Sequence, residues 1–188
     1  MRAVIWVSDL RGFTDLNERL SGVDMIALLN AYFEEMAGAI LAQGGQVLKF
    51  MGDGLLAAFP IEGDGRAAAA AAVAAARDAL RRFERLNDAP PATIAAIAGW
   101  RPLRSGIALH AGEVFFGNIG APERLDFTVI GPAVNQASRV EAMQKQFGRP
   151  VLLTEAVARL LDGGLEPLGE HSLRGVPGPV AIYGLAEP

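Results

Sequence analysis

The chain has 188 residues, 51% hydrophobic and 20% charged, with no cysteine and a formal net charge of −4. That length and balance predict a single folded domain with a sizeable core and exclude an intrinsically disordered chain. The lack of cysteine excludes a disulfide framework and thiolate metal sites and fits a reducing, cytoplasmic setting, while the acidic balance argues against a broad nucleic-acid-binding surface.

Residues 3–9, Ala3-Val4-Ile5-Trp6-Val7-Ser8-Asp9, read as a buried strand that runs into an aspartate, too short and too polar at its end for a signal peptide. Ser21-Gly22-Val23-Asp24 opens a helix in the manner of a capping box, with Asp in place of Glu. Met25, Leu28, Leu29, Tyr32, Phe33, Met36 and Ile40 fall on one stripe of that helix, which reads as core packing, and Gly44-Gly45 ends it. Residues 46–51 and 55–59 read as two strands joined at Gly52-Asp53-Gly54, where Asp-Gly signals a tight turn. Residues 64–87 predict an alanine-rich helix; its run from Ala67 to Ala76 is the longest apolar stretch and far short of a membrane span. Residues 88–103 read as a loop. Residues 104–112 and 113–119 read as a second pair of strands, and 126–130 as another, stopped by Gly131-Pro132. Pro132 suits the first turn of a helix running to about Phe147. A short strand at 151–154, a short helix to Leu161, and two strands over 165–185 joined by Gly175-Val176-Pro177-Gly178 complete the chain. This order predicts an α+β fold: a ferredoxin-like βαββαβ core extended into a mixed, mostly antiparallel sheet with packed helices, one domain over residues 1–188.

Three groups carry the chemistry. Asp9 and Asp53 sit at the ends of strands expected to pair, each with glycine nearby. A lone aspartate at a strand end more often makes a turn or a cap. Two converging on one edge suit a hard divalent cation such as Mg²⁺, which prefers oxygen and leaves room for phosphate. The turn Gly12-Phe13-Thr14 can offer backbone N–H groups to phosphate at a helix start. Lys49, one of only two lysines among 17 basic residues, falls in a segment that otherwise reads as buried strand, where an ammonium needs a partner. Asn135 and Arg139 are four apart and share a helix face. An arbitrary pair there would be a solvated face, but Asn supplies an amide donor and Arg a forked cation suited to phosphate. His110, in an apolar strand, reads as a satisfied core histidine.

These segments together resemble the catalytic domain of the class III adenylyl/guanylyl cyclases. Ser8-Asp9-Leu10-Arg11-Gly12-Phe13-Thr14 resembles the family's first metal-binding segment, and Lys49-Phe50-Met51-Gly52-Asp53 its Lys-x-x-Gly-Asp segment. Residues 126–139, Asp126-Phe127-Thr128 through Asn135 to Arg139, resemble its nucleotide and transition-state segment; residues 106–114 and Leu173-Arg174-Gly175 also match. The resemblance covers essentially the whole chain. It implies that Asp9 and Asp53 bind two Mg²⁺ or Mn²⁺ ions, with the Leu10 carbonyl completing a metal shell. It further implies that Lys49 and Thr128 read the purine edge, Asn135 orients the ribose, and Arg139 stabilises the α-phosphoryl group in the transition state. Phe13, Thr14 and Arg174 would contact the triphosphate. The implied site is shared across a head-to-tail homodimer. A Lys/Thr pair looks like the bicarbonate-responsive subclass and favours ATP over GTP, because Lys is donor-only and suits adenine N1. One departure is Pro132, where the family often has Asp. The alternatives are a guanylyl cyclase, a silent nucleotide-binding or dimerisation module, and a palm-type polymerase or diguanylate cyclase, whose Gly-Gly-Asp-Glu-Phe signature is absent.

Overall fold

The computed structural model describes residues 1–98 and 100–186. Its main sheet has seven strands in the order β2-β3-β1-β4-β7-β9-β8, with β1 at Arg2–Leu10, β2 at Gln46–Met51, β3 at Gly54–Pro60, β4 at Ser105–Glu113, β7 at Val151–Thr154, β8 at Leu165–Ser172 and β9 at Pro179–Leu185. Every neighbouring pair is antiparallel except β4 with β7, so the sheet is mixed and mostly antiparallel, as expected. The run of β4, β1, β3 and β2 across the sheet is the ferredoxin-like half, and helices α2 (Gly22–Ala42) and α3 (Arg66–Asp88) are its crossovers.

Strand alternation divides the core in two. Val4, Trp6 and Leu10 face α2 and α3, where Leu28, Tyr32, Met36 and Ile40 pack against Ala69, Ala72, Ala75, Ala76 and Ala79. The small alanine face of α3 lets it lie close against α2 and the sheet. Ala3, Ile5 and Val7 point to the other face, where α5 (Pro132–Ala142) covers them with Ala133 and Ala137. This two-sided cover is why β1 is buried almost throughout rather than on alternate residues. By length and composition α2 could cross a membrane, but its Leu28–Ile40 stripe is sealed in this core and it carries Asp24, Glu34 and Glu35. Ser21 caps it as expected: its Oγ accepts from the Asp24 N–H at 3.2 Å and donates to the Asp24 carboxylate at 2.7 Å.

Several sequence expectations need correction. The 88–103 loop holds one helical turn, α4 (Ala92–Ala95), whereas the helix start expected at Gly12-Phe13-Thr14 is present as α1 (Phe13–Arg19). β2 is an edge strand, half-buried at best, so Lys49 does not sit in a buried strand. Residues 104–112 and 113–119 do not pair: β5 (Phe115–Ala121) pairs instead with β6 (Arg124–Ile130) in a separate ribbon. The fully buried Val114 marks the switch, its N–H tied to the Met1 carbonyl at 2.9 Å. The helix expected to reach Phe147 ends at Ala142, and α6 (Gln144–Phe147) follows as a separate turn. The 52–54 turn is shifted by one residue: Met51 already pairs with Gly54, so Gly52 and Asp53 form the two-residue loop. Gly52 takes φ +65 and, among the described residues, no other residue type has positive φ, the pattern of a II′ hairpin, in which the glycine comes first. The remaining short helix, α7 (Glu155–Ala158), follows β7.

Candidate active site

Pairing of β1 with β3 sets Asp9 opposite Gly54, and the Leu10 N–H donates to the Asp53 carbonyl at 3.1 Å. Asp9 and Asp53 are thus brought to one end of the sheet, as the sequence led us to expect. They interact electrostatically: burial raises the Asp9 pKa from its ordinary value and the Asp53 charge adds to the rise, while Arg11, a hydrogen bond with Glu141, and Lys145 oppose it. Asp9 Oδ1 is buried and has no hydrogen-bond partner. A buried carboxylate oxygen left open in this way normally carries a cost, and a divalent cation would relieve it. Among the described residues no cluster of three or more His, Cys, Asp or Glu forms a complete metal cage. Two carboxylates at a strand edge suit Mg²⁺, which binds through one or two carboxylates and completes its shell with water and phosphate. The residues present therefore fit the group. Leu10 itself is buried at the strand end, 1% exposed.

Three side chains that sequence reasoning left out surround Asp9. Arg11 Nη2 donates to Glu141 Oε1 and to Gln144 Oε1, each at 2.6 Å, while its Nη1 stands 3.5 Å from Asp9 Oδ1. Glu141 is buried on α5, and burial with the nearby Asp9 charge pushes its pKa up to about 7 against the pull of Arg11. The signal was present in the pattern: Ala133, Ala137, Val140, Glu141 and Gln144 form one inward stripe in which a carboxylate and an amide stand at core positions.

Asn135 and Arg139 lie elsewhere. They line a cleft of about 440 Å³ with Gly131, Pro132 and the β8–β9 loop at Gly175–Pro177. The Arg139 guanidinium rests against Gly175, where a Cβ would approach its Nη2 to 3.4 Å. Arg174, exposed, is next to it in the chain. None of the residues lining this cleft is acidic. At 100° per residue, positions 135 and 139 point about 200° away from 137 and 141, so α5 shows Glu141 to its own Asp9 and Asn135 and Arg139 to the opposite side. Thr128 is half-buried on β6, paired with Gly117, and β6 packs beside β2, which carries Lys49. Phe13 and Thr14 open α1, whose N-cap Gly12 has φ +76 and no side-chain cap. His110 is the satisfied core histidine expected: 7% exposed, bonded through Nδ1 to Thr154 Oγ1 at 2.8 Å, and lowered by burial to a pKa of about 4.

A model of the adenylate and guanylate cyclase catalytic domain matches residues 2–187. The chain belongs to that family. The cyclase domain is 37% identical over 160 residues to an adenylate cyclase of Anabaena cylindrica, covering 85% of this chain and 31% of that protein. It is 31% identical over 180 residues to adenylate cyclase 1 of Rhizobium meliloti, covering 94% of this chain and 26% of that protein. The chain thus spans under a third of these curated relatives. Among solved structures, it superposes on the guanylyl cyclase Cya2 with a TM-score of 0.82 at 31% identity, over 100% of this chain and 94% of that one. A bacterial light-regulated adenylyl cyclase matches at 0.84 and 28% identity, over 98% of this chain and 52% of that one. The cyclase domain therefore has the expected fold, and its relatives include both adenylate and guanylate cyclases.

Proposed function

We propose that this domain converts ATP to 3′,5′-cyclic AMP and pyrophosphate at two equivalent sites shared across a head-to-tail homodimer. The observation that carries this reading is the division of labour on α5: Asn135 and Arg139 face a cleft without carboxylates, on the opposite side of the helix from the residue that contacts Asp9. In this reading the partner's Arg139 meets Asp9 across the dimer. Exposed apolar side chains support a partner surface: Phe115, Leu125 and Ile130 on the β5–β6 ribbon, with Phe50 and Met51 at the tip of β2.

In this reading Asp9 and Asp53, with the Leu10 carbonyl, would hold two Mg²⁺ or Mn²⁺ ions, whose charge would make the ribose 3′-hydroxyl a better nucleophile and neutralise the triphosphate. The partner's face supplies the rest. Asn135 orients the ribose so that its 3′-oxygen lies in line with the α-phosphorus. Arg139 meets the charge that develops on the α-phosphoryl oxygens as the bond to pyrophosphate breaks. On the metal-holding chain, the N–H groups at Phe13 and Thr14 take the outer phosphates, together with Arg174. Lys49 donates to adenine N1 and Thr128 to the same base edge. In this reading the hydroxyl proton leaves to water or to substrate.

GTP is the second reading, favoured by the guanylyl cyclase among the solved neighbours; Lys49 argues against it, because guanine N1 already carries a proton. A bicarbonate response rests on Thr128 alone, and a flat dose response at fixed pH removes it. We place the domain in the cytoplasm on the same grounds as before, a chain without cysteine. The decisive experiment mixes Asp53→Ala chains with Arg139→Ala chains, each inactive alone. Each heterodimer holds one intact composite site, so cyclic AMP formation returns. Proven heterodimers with no recovered rate would refute the shared site.

A further inference from the structure

The Arg11 guanidinium makes only a long ion pair with the carboxylate of Asp9, while its close hydrogen bonds go elsewhere. Its two close contacts, both at 2.6 Å, go to Glu141 Oε1 and Gln144 Oε1, and a longer one at 3.4 Å goes to the Glu141 carbonyl. The distance from Nη1 to Asp9 Oδ1, 3.5 Å, lies well beyond the 2.7–2.9 Å of a charge-assisted hydrogen bond. That same Asp9 oxygen is the buried one without a partner. A shift of under about 1 Å would close a direct ion pair and spend the carboxylate on an internal cation.

The seat that prevents this is built by several elements. Gln144 is fixed by its Nε2, which donates to the Ile107 carbonyl at 2.5 Å and the Pro150 carbonyl at 3.4 Å. Gly106, directly opposite Asp9 in the β1–β4 register, leaves the space. A Cβ at Gly106 would fall inside the envelopes of both Gln144 Oε1 and Arg11 Nη2. Gly106 has no positive φ, so the backbone does not require glycine there; the side-chain seat does.

We propose that Glu141 and Gln144 are positioning residues that hold the Arg11 guanidinium off Asp9 and so keep that carboxylate open to a divalent cation. This rests on the assignment of Asp9 as a metal ligand. Because Glu141 and Gln144 lie at the end of the segment carrying Asn135 and Arg139, the same contacts set the register of α5 against its own chain's metal edge.

The test is Mn²⁺ affinity of the nucleotide-free protein, read from the paramagnetic resonance signal of free Mn²⁺. Wild type, Asp9→Asn, Glu141→Gln, Gly106→Ala and the double variants Arg11→Met/Glu141→Gln and Arg11→Met/Gly106→Ala are compared, with thermal melting to confirm folding. At pH 8, where Glu141 is ionised, Glu141→Gln loses the charge that parks the guanidinium, and Gly106→Ala fills its seat without touching a carboxylate. Each weakens Mn²⁺ binding by on the order of tenfold, the worth of one charged hydrogen bond. Removing Arg11 in either background restores affinity to within about twofold of wild type, because the competitor is gone. A merely structural role predicts the reverse, with the doubles no better than the singles, and that result overturns the proposal, as does wild-type affinity in both singles. Wild type binding no more tightly than Asp9→Asn would instead overturn the metal assignment and this inference with it. Should Glu141→Gln fail to fold, the Gly106 pair decides alone.

Discussion

Raising the pH from 5 to 8 destabilises the metal-free domain through Glu141. In the folded protein its pKa stands at about 7, whereas an ordinary glutamate titrates at 4.5. Between these values the folded state keeps a proton that the unfolded chain has released. Folding therefore takes up protons in this window, and each step up in pH favours unfolding. At about 1.4 kcal/mol per pH unit, a rise from 4.5 to about 7 corresponds to about 3 kcal/mol, fully present below pH 4.5 and lost as pH passes 7. That is a large part of a typical domain's 5–15 kcal/mol. The assay is urea unfolding in EDTA at fixed chain concentration, followed by tryptophan fluorescence, for which the fully buried Trp6 is a natural reporter. Other groups titrate as well, so the comparison is with Glu141→Gln, which cannot. The stability difference between the two proteins should shift by about 2.5 kcal/mol from pH 5 to pH 8, part of the effect being lost already at pH 5, with wild type losing ground. Curves that stay parallel within about 0.5 kcal/mol would refute the reasoning, since the burial and like-charge contact with Asp9 would then not act on the proton.

Arg139→Ala should lower kcat by about 10²–10³ with KM changed only a few-fold, because the interaction is made in the transition state; steady-state kinetics with ATP and Mn²⁺ check this. Lys49→Glu should reduce ATP turnover relative to GTP by more than about tenfold, as an acceptor replaces a donor at the base edge; chromatography of the two cyclic products reads the ratio. EDTA should abolish turnover and Mn²⁺ restore it, while Asp9→Asn and Asp53→Asn stay inactive at any Mn²⁺ concentration tested. Gly45→Ala should cost about 1–3 kcal/mol by overpacking, since its Cβ would lie 2.6 Å from Phe59 Cζ and 2.7 Å from Ile40 Cγ2; thermal unfolding measures it.

Much of this molecule was legible from residue patterns alone. The apolar run ending on Asp9 and the capped stripe from Met25 to Ile40 are local signals, set by strand alternation and helical period, and each appears where expected; the glycine turn beside Asp53 is present too, displaced by one residue. The errors fell where a choice of partner decided the outcome. Adjacent strands at 104–119 read as a hairpin, yet β4 takes β1 and β7 as neighbours and β5 turns away to β6. Lys49 read as buried because its strand is apolar, and only the sheet order made that strand an edge.

The chain by itself determined the two acids, the Asn–Arg pair and the order of elements around them, because short-range spacing fixes which side chains share a strand end or a helix face. Only the tertiary structure decided that α5 turns Glu141 toward Asp9 and Arg139 toward a cleft on its far side, and that Arg11 rests in the space left by Gly106. The contacts of Arg11 with Gly106, Glu141 and Gln144 join residues 95 to 133 positions apart, and no local rule specifies which distant surfaces will pack.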